Sequence, residues 1–176
     1  MTELPRQPVM REEQVALYDA EGKPCGVAPR SLMRSQNLRH AATGIVVRNS
    51  AGEIYVHQRT AIKDVYPSRF DFAAGGVMAA GEQPDESARR ELGEELGISG
   101  VELQFIGEGD FADEHTDYHA FLYQVTWDGP IVHQPEEVAW GGWWTPQELQ
   151  RRIAINPDQF MPDSLALWND AFTQPA

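Results

Sequence analysis

The chain has few of the features that mark secreted, membrane-bound or disulfide-stabilised proteins. It contains a single cysteine, Cys25, so no disulfide can form within it, and this agrees with a reducing compartment. Apolar runs stay well short of the roughly 18 residues that cross a bilayer. The first residues lack the charged-then-apolar pattern of a signal peptide. These absences predict a cytoplasmic protein with no membrane partner.

Positive charge is also scarce. The sequence has 14 Lys and Arg residues against 27 Asp and Glu residues, which gives a formal net charge of −13. Such an acidic surface repels nucleic-acid backbones, so nucleic acid is not an expected partner. It would also repel a phosphorylated metabolite unless bound cations intervene.

The pattern of apolar residues predicts a mixed α/β (α+β) architecture. We interpret residues 1–12 as an N-terminal tail and 13–176 as a single domain with its core at 38–155. Since strands interleave with few helices, a mixed sheet in a sandwich is expected. The predicted elements are a hairpin over 13–29, strands at 40–49, 53–60, 70–76, 101–107, 117–127 and 138–144, and helices at 31–39, 84–96, 145–153 and 161–172.

The helix predicted at 84–96 carries clustered carboxylates. At 100° per residue, Glu91, Glu94 and Glu95 lie within about 100° of one another, beside the apolar stripe that would pack on the sheet. Like charges this close destabilise a helix unless a cation joins them. Carboxylate oxygens suit Mg²⁺ or Mn²⁺. The alternative is a solvated acidic face whose partners are neighbouring arginines.

The residues around this helix follow a longer pattern. Residues 76–98 read GVMAAGEQPDESARRELGEELGI. At every defined position this stretch matches G-x5-E-x7-R-E-U-x-E-E-x-G-U, where U is aliphatic, which is the motif of the Nudix hydrolases. The chain therefore resembles that family.

This resemblance implies a fold, a reaction and a set of site residues. The fold is a mixed β-sheet between helices, here with an N-terminal β-hairpin extension. The reaction is attack of a metal-activated water on a diphosphate that links a nucleoside to another group, X. The implied metal ligands, for Mg²⁺ or Mn²⁺, are Glu91, Glu94, Glu95 and the Gly75 carbonyl, and the implied catalytic residues are Glu94, Glu95, Arg90 and Glu82.

Other candidates lie outside the motif or at its edge, and each has a solvated or structural role as its alternative. Gly76 would let the backbone approach the substrate. The candidate diphosphate contacts are Arg59, Lys63 and Arg69. The candidate general bases, besides the motif glutamates, are Glu114, Glu136 and Glu137. The candidate platforms for stacking of a base are Tyr66, Tyr118 and Trp140.

The resemblance extends to the branch related to isopentenyl-diphosphate isomerase. Shared features include an R-H-x-A strand entry at 39–42 and a QRT-x-x-K-x-x-x-P loop at 58–67. The isomerase, however, places a cysteine directly before the motif glycine and a histidine directly after it, where this chain has Gly75 and Val77. His40 matches another of its metal histidines, with a structural role as the alternative.

Three functions therefore stay open at this point. The leading one is a Mg²⁺-dependent diphosphate hydrolase that acts on a small molecule. The others are an isomerase-related enzyme and a catalytically silent nucleotide-binding module. The sequence does not identify X or the base, and it leaves a homodimer open. For Cys25 we expect a partly buried structural role.

Overall fold

The structure, a computed structural model, describes residues 12–168. The tail predicted at 1–12 lies outside the described residues except for Glu12, and so does the end of the helix predicted at 161–172. The strands within this range are β1 (Gln14–Tyr18), β2 (Pro24–Pro29), β3 (His40–Arg48), β4 (Ile54–Arg59), β5 (Phe70–Asp71), β6 (Gln104–Ala112), β7 (Asp117–Thr126) and β8 (Val138–Trp144). The helices within it are α1 (Arg30–Ser35), α2 (Pro84–Leu96), α3 (Pro146–Ile155) and α4 (Pro162–Leu167), with a short 3₁₀ turn at Pro157–Gln159.

A single mixed sheet joins these strands, as predicted. Its centre is β3, which runs parallel to β7 along its whole length, from the pair His40–Tyr118 to the pair Arg48–Thr126. β6 pairs antiparallel with β7, and β8 pairs antiparallel with β4. The predicted N-terminal hairpin, β1 with β2, joins the sheet through the pair Leu17–His40.

Several predicted elements differ in extent. β3 and β4 were expected as a hairpin but share only the pair Arg48–Ile54, because β4 turns away to pair with β8. β5 is two residues long, and the chain after it contacts β3 and β1 through isolated bridges instead. β6 begins three residues later than predicted and ends five residues later, since it follows β7 to the next turn.

Helices cover both faces of the sheet, and the fold is therefore a sandwich. Alternate residues of β3 point to opposite faces. Ala42 and Val46 belong to the core cluster that includes Leu149 of α3. Ile45 and Val47 belong to the cluster of α2, which contributes Ala88, Leu92 and Leu96. Trp143 and Trp144 likewise pack into opposite clusters, as neighbours on a strand must.

Helix length also bears on membrane association. Among the helices of residues 12–168, none combines the length and apolar character that a bilayer crossing requires.

Candidate active site

Two adjacent glycines bring the loop after β5 against β3 and α2. The Thr43 amide donates to the Gly76 carbonyl at 3.0 Å. Gly75 has a φ of 148°, and a Cβ there would lie 1.9 Å from the Thr43 carbonyl oxygen, so a side chain does not fit. A Cβ on Gly76 would lie 2.6 Å from Glu91 Oε1. The loop backbone thus passes directly beside the carboxylates of α2.

The local sequence of α2 sets its position. A capping box starts the helix: the Gln83 amide donates to the Glu86 carboxylate at 3.0 Å, and the Gln83 side chain accepts a bond in return. The helix ends at Gly97, as predicted. Because its apolar stripe is packed on the sheet, the neighbouring Glu91 and Glu95 are drawn in until each is only 9% exposed.

Arg90 holds three of the motif carboxylates together. Its Nε and Nη2 donate to the two oxygens of Glu82 at 2.8 and 3.0 Å. Its Nη1 donates to Glu91 at 2.7 Å and to Glu94 at 3.3 Å. Burial alone would raise the pKa of Glu82, but the hydrogen bonds from Arg90 and the Ala79 amide, with the charge of Arg90, together outweigh it and the pKa is lowered. The arginine therefore fixes the side-chain positions of this carboxylate group.

Glu95 has no such cation beside it. Its Oε2 accepts a hydrogen bond from the Gly75 amide at 3.1 Å. Burial, and next the charge of Glu91, raises the pKa of Glu95 to about 8. Burial also raises the pKa of Glu91, although Arg90 opposes the shift. Two buried carboxyl groups thus lie side by side, and the single arginine contacts only Glu91 of the two. The site therefore has less positive charge than these carboxyl groups would need when ionised.

A divalent cation fits this donor set. Within residues 12–168 no three His, Cys, Asp or Glu side chains converge into a ready-made cage for a metal ion. Mg²⁺ does not need one, since it keeps several waters and binds through one or two carboxylates plus substrate phosphates. The buried oxygens of Glu91 and Glu95, beside the closely approaching Gly75 backbone, are donors of that kind.

The carboxylates form one wall of a cavity of about 530 Å³, a volume suited to a nucleotide-sized ligand. The cavity brings together the predicted residues Gly75, Gly76, Arg90, Glu91, Glu94, Glu95, Arg59, Lys63, Glu137, Tyr66 and Tyr118. Glu82 stands behind Arg90 and does not line it.

The structure leaves four other candidates out of the cavity lining. Arg69 donates to the Phe160 carbonyl at 3.1 Å. The Glu114 side chain is 85% exposed beside His115. The Thr60 hydroxyl donates to the backbone carbonyl of Glu136. Trp140 packs against Phe70 and Trp144.

Two candidate residues in the cavity neutralise each other. Lys63 and Glu137 form an ion pair between the loop after β4 and the loop before β8. The Thr60 amide also donates to the Glu137 carbonyl at 3.2 Å, which ties the two loops together. Arg59 instead donates to the carbonyls of Val65 and Tyr66, at 2.9 and 3.2 Å. Its guanidinium makes no direct ion pair with a carboxylate of the described residues, although its charge acts to lower the pKa of Asp71 and Asp163.

Sequence reasoning missed a second polar group in the cavity lining. The Tyr118 hydroxyl donates to Asp163 at 2.7 Å, and the Ser164 hydroxyl donates to Asp71 at 2.6 Å. Burial raises the pKa of both aspartates to about 6, and the charge of Asp71 adds to the shift of Asp163. Asp163 follows the proline that opens α4. An acidic residue in the first turn is common in helices, so the sequence pattern did not mark Asp163 as a site residue.

Sequence reasoning also missed two arginines of α1. Arg30 and Arg34 both line the cavity. Their spacing of four residues on a short helix was the signal that could have found them, because such residues share one face. His40, at the start of β3, lines the cavity as well and is only 1% exposed.

Cys25 lies away from this cavity. It is exposed on β2, the edge strand of the hairpin. The partial burial expected for it was wrong, because β2 has a neighbour on one side only and its residues 24–27 are all exposed.

Comparison with known proteins places this geometry in a family. The NUDIX domain model matches residues 38–164. A protein from Rhodococcus erythropolis named "Uncharacterized Nudix hydrolase orf19" is 44% identical over 169 residues, covering 90% of this chain and 91% of the relative. "Uncharacterized Nudix hydrolase YfcD" from Escherichia coli K12 is 43% identical over 159 residues, covering 89% and 86%.

A solved structure supports the fold. The crystal structure of DR0079 from Deinococcus radiodurans matches with a TM-score of 0.70 at 24% identity, covering 82% of this chain and 90% of that one. The match of the domain model over most of the chain agrees with the motif of residues 76–98. The chain therefore belongs to the Nudix hydrolase family.

Proposed function

We propose that this protein is a Mg²⁺-dependent hydrolase that cleaves the diphosphate linkage of a small nucleoside diphosphate derivative. The observation that carries the proposal is the pair of buried carboxyl groups, Glu91 and Glu95, on the wall of a cavity of nucleotide size. A divalent ion would balance their charge and would let an acidic protein hold an anionic substrate.

Each motif residue has a physical role in this proposal. When bound, the cation supplies charge neutralisation and Lewis acidity at the phosphate oxygens. Glu91, Glu94 and Glu95, with the Gly75 carbonyl, would hold it. Arg90 keeps Glu91 and Glu94 oriented through its hydrogen bonds.

The remaining chemistry belongs to the rest of the cavity. Glu82 holds Arg90 in place through two hydrogen bonds and needs no contact with the substrate. Arg59 and Lys63 line the cavity and would contact phosphate groups of the substrate. Tyr118 and Asp163, which also line the cavity, would contact the nucleoside or X.

The test is a screen of purified protein with Mg²⁺ or Mn²⁺. Its substrates are nucleoside di- and triphosphates, nucleotide sugars, dinucleotide cofactors and prenyl diphosphates. We expect release of phosphate or a nucleoside monophosphate from at least one class of nucleotide. Isomerisation of a prenyl diphosphate without hydrolysis would favour the isomerase alternative, and binding without turnover of any compound would favour the silent module.

Among the later-loop candidates for the general base, we expect Glu137 to be the one that matters. It lines the cavity, whereas Glu114 and Glu136 do not. Glu137→Gln should lower kcat by about a hundredfold, a typical loss for a general base. Glu114→Gln and Glu136→Gln are matched controls and should stay near wild type in steady-state assays. A normal kcat for Glu137→Gln would assign the base to a motif glutamate instead.

Replacement of the single cysteine should leave catalysis unchanged. Cys25 is exposed on the hairpin edge and lies outside the cavity lining. Hydrolysis by water needs no thiolate, so Cys25→Ser should retain kcat and KM. The same assay after thiol alkylation of the wild-type protein serves as a second readout. A large loss of turnover at an unchanged melting temperature would show that the hairpin delivers the thiol to the site.

A further inference from the structure

Five cationic side chains line the cavity, beside seven carboxyl groups. The net charge is −13, yet Arg30, Arg34, Arg59 and Lys63 all line this one cavity together with Arg90. Arg90 is fully engaged by the motif carboxylates, and Lys63 by Glu137. We call Arg30, Arg34 and Arg59 the arginine cluster.

Arg34 is the unexplained member of the arginine cluster. Its side chain is partly buried, and none of the hydrogen bonds or ion pairs found within residues 12–168 involves its guanidinium, whose nitrogens are therefore accessible from the cavity. Burial costs a charged group free energy unless a partner offsets it. A guanidinium has five N–H donors, so an unpaired one facing a cavity is a ready binding group for an anion.

Neighbouring charges make the position of Arg34 still less favourable in the empty cavity. Burial lowers its pKa, and the positive charges of Arg30 and Arg59 lower it further. Glu13 and Asp64 offset this in part, but Glu13 is already paired with Arg30 at 3.0 Å. The pKa of buried His40 falls to about 4, first through burial and then through the charges of Arg34 and Arg30. The charges of Arg30 and Arg59 thus disfavour the charge of Arg34, and His40 stays neutral beside them.

We propose that the arginine cluster is a second anion site, which binds a phosphate group of the substrate that lies outside the scissile diphosphate. This rests on the proposed function and narrows its substrate class: the group X carries a phosphate, as in a nucleoside triphosphate. The motif carboxylates and their cation would hold the two phosphates of the scissile diphosphate. Arg34 and Arg59 would hold the further phosphate. An arginine fork suits phosphate because it binds two oxygens at once.

The first experiment tests the site without catalysis. Inorganic phosphate is added to the metal-free protein in chelator, with potassium chloride at equal ionic strength as the control for screening. At a concentration about tenfold above Kd, phosphate should raise the melting temperature of wild type by about 3–6 °C beyond chloride. Arg34→Gln should lose this shift, whereas the exposed Arg151→Gln should keep it.

The melting temperature without phosphate checks that the variant folds. Removing an unpaired charge that repels Arg30 and Arg59 should leave it unchanged or raise it. No phosphate-specific shift in wild type, or an equal shift in Arg34→Gln, overturns the proposal whether or not the protein proves to be a hydrolase.

The second experiment tests the substrate class with Mg²⁺ present. It compares a nucleoside triphosphate, in which X is phosphate, with a nucleotide sugar of the same base, in which X is neutral. Arg34→Gln should raise KM for the triphosphate by about 10- to 100-fold and leave that for the nucleotide sugar near wild type. In both cases kcat should change little. An equal rise for both substrates would place Arg34 on the scissile diphosphate and overturn the assignment.

Discussion

Glu95→Gln should lower kcat by at least about a hundredfold, equivalent to about 2.7 kcal/mol of transition-state stabilisation. Glu95 is the most deeply desolvated of the motif carboxyls and has no cation beside it in the protein. Glutamine has the same shape and can still accept the hydrogen bond from Gly75. It lacks the negative charge that a bound cation requires.

The fold should survive this change. In the metal-free protein the pKa of Glu95 is about 8 against an ordinary value of 4.5, so the native state binds a proton more tightly than the unfolded state. Ionisation of Glu95 therefore costs stability progressively as pH rises from about 4.5 to about 8. A glutamine side chain does not ionise, so the variant lacks this pH-dependent loss of stability. The melting temperature of metal-free wild type should thus fall more steeply than that of Glu95→Gln between pH 5 and 8.

The measurement is steady-state turnover together with melting curves at several pH values. Glu102→Gln provides the matched control, because it makes the same substitution at an exposed position outside the cavity. A Glu95→Gln protein with near-normal turnover, or one that fails to fold at pH 7, would count against the assignment of Glu95.

Removal of divalent metal ions should abolish turnover. Glu91 and Glu95 are both buried, and Arg90 contacts only the first of them. Without a cation, an anionic substrate would face these carboxylates directly. Excess chelator should therefore reduce the rate to background, and Mg²⁺ added in excess of the chelator should restore it.

Metal binding should also be visible without substrate. A cation that binds only the native state raises the melting temperature with its concentration. Mg²⁺ should stabilise wild type more than Glu95→Gln, while Glu102→Gln should respond as wild type does. Full activity in excess chelator would contradict the metal-dependent mechanism, and equal stabilisation of all three proteins would locate the cation elsewhere.

The acidic helix was predictable because its signals are local. The capping residues, the apolar stripe and the glycine stop all lie within α2 or next to it, and the observed bounds Pro84–Leu96 match the prediction. The same is true of β8 and of the N-terminal hairpin, whose strands and turn are contiguous. The mixed sheet also followed from the order of strands and helices, since a few crossover helices force some strands to run parallel.

Strand pairing and loop placement required the tertiary structure. The sequence joined β3 and β4 as a hairpin, but β3 shares one pair with β4 and pairs along its whole length with β7, more than seventy residues away. That pairing places β3 at the centre of the sheet, where the core clusters on the two sides of the sheet bury both of its faces. The loop that carries Lys63 follows β4, and the loop that carries Glu137 precedes β8. The two loops meet because β4 and β8 are paired.

What the sequence determined by itself was the family motif and the carboxylates of α2, since both depend on spacing along a single helix and the loop before it. Only the tertiary structure decided which other groups share the cavity. Arg34 comes from α1, Arg59 from β4 and Asp163 from α4, and no local pattern connects them. Their proximity follows from how the helices pack around the sheet, a global balance of buried surface and strand pairing that local spacing does not encode.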